Sequence, residues 1–164
     1  MKKTRRFVAL LLAAVLALAL FTACGAAQPT IGEQYEKWFV EDLYSKLPEG
    51  KTVQRVDVKH SDMMAALAKI DKDGKIKVKD CWAKEFDDTE TSRWIIISRP
   101  MAWFYTRETV VNAVELTSEN VTDYGLDSFM GEERPSQIKS YDIATLVKDG
   151  KTYVAVYLCF KKRK

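Results

Sequence analysis

Only one histidine, His60, occurs among the 164 residues, and that scarcity removes much metal and acid–base chemistry at once. No histidine pair exists to hold zinc, and a Ser–His–acid triad would rest wholly on His60. Cysteines are also few: Cys24, Cys81 and Cys159. No apolar run comfortably reaches the roughly 20 residues a membrane-spanning helix wants. The longest runs from Phe7 to Phe21 and, extended to Ala23, meets only the short edge of that range. Internal repeats are missing, apart from two Lys-Asp-Gly-Lys segments at 72–75 and 148–151. No catalytic or cofactor motif is complete.

What is present at the N-terminus is distinctive. Lys2, Lys3, Arg5 and Arg6 form a basic head, Phe7–Phe21 an uninterrupted apolar core, and Cys24 directly follows the small residue Ala23. A basic head, a short apolar core and a small-residue cleavage site make a secretory signal. The positive head stays inside, so the remainder is translocated. With Phe21-Thr22-Ala23-Cys24-Gly25, residues 1–25 resemble a bacterial lipoprotein signal peptide with its lipobox. The resemblance implies a signal peptide over 1–23, cleavage before Cys24 and lipidation of Cys24. It also implies a location at the cell membrane, lipid-anchored on the extracytoplasmic face. One acyl chain holds a protein only marginally, so a diacylglyceryl group on Cys24 makes attachment durable. Residues 24–30 then form a short flexible tether, leaving 31–164 as one globular domain.

The formal charge of +3 changes once that segment is set aside. Four of the 26 basic residues precede Cys24 and none of the 23 acids does, leaving 22 basic and 23 acidic side chains. That balance excludes the concentrated basic face of a nucleic-acid binder. The one dense cluster, Lys161–Lys164, reads as a solvated chain end that keeps an edge soluble. Cys81 and Cys159 sit in apolar stretches. A disulfide between them is possible outside the cytoplasm, and free thiols packing as small hydrophobes are the alternative.

The patterning predicts an α+β domain, with an N-terminal helix packed on an antiparallel sheet of about five or six strands. Thr30 and Glu33 form a capping box, and Tyr35, Phe39, Leu43 and Leu47 follow at four-residue spacing. Leu47-Pro48 ends the helix. Residues 52–60 read as a strand, placing His60 at its end in a structural or solvent-facing role. Residues 62–71 fit either a helical stripe (Met63, Leu67, Ile70) or the first arm of a hairpin turning at Asp73-Gly74; the hairpin is the favoured reading. Residues 94–98 are apolar and β-branched, as in a buried strand. Residues 101–117 look extended, and 118–139 form a long polar connection with about one helical turn. The C-terminal hairpin turns at Asp149-Gly150. Val154, Val156, Leu158 and Phe160 line one face of its second arm, and Tyr153, Ala155, Tyr157 and Cys159 the other. Both faces are apolar, which predicts a central strand covered on both sides.

Few residues advertise chemistry. Ser136-Gln137-Ile138-Lys139 matches Ser-x-x-Lys but lacks the companion elements of penicillin-recognising enzymes. Asp71, Asp73 and Gly74 suggest a calcium loop, yet Lys69 stands where its first ligand belongs. No metal or other cofactor is expected. Asp87, Asp88 and Glu90 make an acidic turn that a small envelope hydrolase could use. Trp82, Trp94, Trp103 and Tyr105 would make a ligand platform if one sheet face were open, and core if it were not. The expectation is therefore a non-enzymatic binding or interaction domain at the cell envelope. It would be held to the membrane by its lipid and would meet an envelope protein, a peptide or a glycan. The alternatives are the hydrolase and an immunity or structural lipoprotein.

Overall fold

The computed structural model describes residues 28–99 and 106–162. Cys24, Trp103 and Tyr105 lie outside these residues, so the signal peptide, the lipidation site and part of the aromatic platform do too. Among the described residues, three α-helices, α1 (Ile31–Lys46), α2 (His60–Leu67) and α3 (Asp127–Met130), accompany eight strands. The strands are β1 (Gln54–Arg55), β2 (Lys75–Lys77), β3 (Trp82–Phe86), β4 (Glu90–Ile96), β5 (Ser98–Arg99), β6 (Val110–Ala113), β7 (Ile138–Lys148) and β8 (Lys151–Lys161). The fold is α+β, a helix laid on sheet.

Helix α1 begins where its cap predicts. The Glu33 amide donates to Thr30 Oγ1 at 3.2 Å and the Thr30 amide to Glu33 Oε2 at 2.7 Å, satisfying two amides that a helix start leaves orphaned. Its apolar stripe is fully buried: Tyr35, Phe39 and Leu43 are 0% exposed. Phe39 meets the Phe129 ring edge-on at 5.7 Å. The stripe lands on Val154, Val156, Leu158 and Phe160 of β8.

The sheet runs β1-β7-β8-β4-β3. All its pairings are antiparallel except β1 on β7, which is parallel. The expected sheet is thus present with five strands, mixed only through β1, and a smaller sheet, β2-β6-β5, accompanies it. Strand β8 lies at the centre, as its two apolar faces require. Its even face joins the α1 core, and Tyr153, Ala155, Tyr157 and Cys159 join a second core with Met63, Leu67 and Ile70. The β7–β8 turn has positive φ at both Asp149 (52°) and Gly150 (76°), the pair of left-handed residues that a two-residue hairpin of matching twist demands.

Two local expectations are corrected. Residues 62–71 enter helix α2 and its exit turn, not a strand. The partner they were meant to supply to β2 comes instead from β6, with Ile76 opposite Val111. Met63, Ala66, Leu67 and Ile70 are all buried, a helical spacing that no strand puts on one face. Asp71 then closes the turn, its Oδ1 accepting from the amides of Asp73 (2.9 Å) and Lys75 (2.8 Å). In 52–60 only Gln54–Arg55 pair as a strand, and His60 opens α2.

Candidate functional site

Strand β3 is one of the two edge strands of the five-stranded sheet, β1 being the other, and its hydrogen bonding shows which residues face outward. The Asp87 amide donates to the Glu90 carbonyl at 3.0 Å, and the Ile96 amide to the Cys81 carbonyl at 2.7 Å. Bonded and non-bonded pairs alternate along an antiparallel ladder, so Ala83–Trp94 and Glu85–Ser92 are the bonded pairs between. The amides and carbonyls of Trp82, Lys84 and Phe86 therefore point to the open edge. The side chains of these same three residues share one face. Trp82 is 45% and Phe86 67% exposed, large values for aromatics that normally seek cover. The Lys84 ammonium lies 4.8 Å from the Phe86 ring centre. Across the ladder, Lys84 sits opposite Arg93, whose guanidinium pairs with Glu133 at 2.8 Å.

Beside this edge, Glu85, Phe86, Asp87, Glu90, Ser92, Tyr157 and Cys159 line a shallow hollow of 160 Å³. Its acids are occupied. Asp87 Oδ1 accepts from the Thr89 amide at 2.7 Å and from the Glu90 amide at 2.5 Å, so Asp87 builds the β3–β4 turn. Those backbone donors hold its carboxyl below the usual range. Glu90 is bound by Lys139 and accepts the Cys159 thiol at 3.3 Å. The Lys139 bond first, then the thiol, holds Glu90 below its ordinary value. Asp88 is exposed. Asp87 thus builds the turn and Glu90 an ion pair. Lys139 likewise pairs with Glu90, and Lys51 donates to the Ser136 carbonyl.

The two thiols are free, the second of the two arrangements the sequence allows. Cys159 sits opposite Ser92, while Cys81 is bonded to Ile96, four residues along β4 and on its other side. At roughly 3.3 Å per residue the offset along the strand alone is about 13 Å, against the ~7 Å Cα limit for a bridge. Burial pushes the Cys81 thiol up to about 12. Burial, and then the hydrogen bond to Glu90, raises Cys159. In the folded Cys24→Ser protein at pH 8, neither thiol is expected to react with Ellman's reagent within minutes, and both should react in denaturant. A rapid native reaction would mean that this corner of β8 opens.

A second polar cluster joins four elements. Asp142, 1% exposed on β7, accepts from Arg55 Nε at 3.0 Å and contacts His60 Nδ1 at 2.8 Å. Arg55 also pairs with Glu36 of α1 and donates to the Ile143 carbonyl at 3.1 Å. The cluster ties α1, β1 and the start of α2 to the sheet. His60 is held by Asp142, a partner the sequence did not name.

The aromatic platform is corrected in part. Trp94 is 9% exposed and packs in the second core, on the face opposite Trp82. Trp82 is open, and it is joined by Lys84 and Phe86, which the sequence reading missed. Their signal was the alternation Trp82, Lys84, Phe86 running into an acidic turn. Among the described residues, no group of three His, Cys, Asp or Glu side chains is arranged to hold a metal ion. None of the described helices is long and apolar enough to cross a membrane. No family model, no curated protein and no solved structure matches the chain.

Proposed function

We propose that this chain is a membrane-anchored, extracytoplasmic lipoprotein with a non-enzymatic interaction domain that takes up an extended segment of an envelope protein along β3. The carrying observation is the open edge itself, where Trp82, Lys84 and Phe86 present backbone and side chains together. A peptide strand satisfies every outward amide and carbonyl of such an edge, whereas a glycan stacked on Trp82 leaves the ladder unpaired. Edge strands are usually blunted or covered, and the described residues leave this one open. Support for the anchor comes from Lys2, Lys3, Arg5 and Arg6, the apolar Phe7–Phe21 and Cys24. The capped start of α1 at Thr30 lies six residues after Cys24. At most about 20 Å of chain then separates domain and bilayer, so the partner is a membrane neighbour.

Two measurements test the reading. Mass spectrometry of the protein from membrane fractions should give an N-terminal Cys24 carrying a diacylglyceryl group. Recovery of cytosolic protein that retains Met1 removes the anchor. A photocrosslinking residue at position 84 should give one discrete protein adduct in native membranes that is lost with Trp82→Ser/Phe86→Ser. Equal adducts from position 84 and from the exposed position 147 would remove the β3 docking edge.

A further inference from the structure

Taking β3 as the docking edge, we infer that the segment it selects carries an acidic side chain with an apolar residue two positions to either side. The reading face is narrow. Ala83 is half-buried against the second core, and Glu85 is already paired with Lys59 at 2.7 Å. Only Trp82, Lys84 and Phe86 remain to meet side chains of an added strand. Residues directly opposite in a ladder share a face and interact as pairs, so the partner's three facing positions meet Trp82, Lys84 and Phe86 in turn.

Lys84 sets the central position. On its inner side it faces a second cation, Arg93, and among the described residues its only charged or aromatic contact is the Phe86 ring. Like charges directly opposite destabilise a ladder and opposite charges stabilise it. Glu133 already pairs with Arg93, so a carboxylate on the open side compensates Lys84 itself. A lysine or arginine there would set a like charge directly opposite Lys84. A lysine at a free edge also rejects indiscriminate pairing, so Lys84 excludes neutral and basic strands while admitting an acidic one. Trp82 and Phe86, exposed on either side, favour apolar or aromatic facing residues, whose burial drives the association.

The probes are two synthetic peptides of alternating pattern. One is centred on Val-Thr-Glu-Thr-Val, and the other is identical except for Lys in place of Glu. Binding is measured by fluorescence anisotropy to the chain from Gly25 onward, which retains every residue of both cores. The Glu peptide is expected to bind about fivefold more tightly or better, and Lys84→Glu should reverse the order. Circular dichroism checks that the variant is folded. If both peptides bind alike, or if Lys84→Glu leaves the order unchanged, the acidic selectivity is wrong while the docking edge survives. If neither peptide binds, the docking edge falls as well. Mass spectrometry of Cys24 is independent of either result.

Discussion

Arg55→Met is expected to destabilise the fold by about 3–5 kcal/mol, whereas Asp142→Leu costs only about 0–1.5 kcal/mol. The asymmetry comes from burial. Asp142 is 1% exposed, while the side chains of Arg55 and His60 are each 43% exposed. Removing Arg55 strands a carboxylate out of water with one remaining partner. Removing Asp142 instead leaves two cationic or polar groups that keep solvent, and Arg55 keeps Glu36 as well. Leucine also suits the apolar neighbours of β7. Urea unfolding of both single variants and of the double variant measures the coupling directly. Equal losses from the two single changes would show that burial of the carboxylate does not govern the cluster.

Phe39→Ala is expected to cost about 3–5 kcal/mol, much of the stability such a domain has. Phe39 is fully buried between Tyr35 and Phe129, and the surrounding rings are held by α1, α3 and β8, so the cavity cannot collapse. Phe86→Ala makes the matched control. It removes the same atoms from a ring that is 67% exposed and should change stability by about 0.5 kcal/mol or less. Urea midpoints at an unchanged slope report both. If Phe86→Ala destabilised as much as Phe39→Ala, β3 would be covered in solution and unable to serve as a docking edge.

Legibility along the chain followed how local each cause is. The capping box at Thr30 and Glu33 could be read directly because its partners lie three residues apart. So could the two-faced strand β8, since period-two alternation reports both faces at once. Residues 62–71 were misread because Asp73-Gly74 marks a turn without saying what precedes it, and the true partner of β2 lies more than thirty residues away in β6. The pairing of Cys81 with Cys159 looked possible only while their positions along β4 were unknown. Asp142 is a buried acid within an apolar strand, and nothing local names Arg55 or His60 as its partners.

The sequence by itself determined the first helix, the C-terminal hairpin with its left-handed turn and the α+β class. Each of these follows from residue spacing or near-neighbour hydrogen bonding. Only the tertiary structure decided that β3 is an edge strand, that Trp82 and Phe86 remain open while Trp94 is buried, and that Asp87 and Glu90 of the β3–β4 turn are already engaged. Strand order and register are collective results of packing two cores against one sheet. A strand's own residues state which of its faces is apolar, but not whether another strand lies beside it.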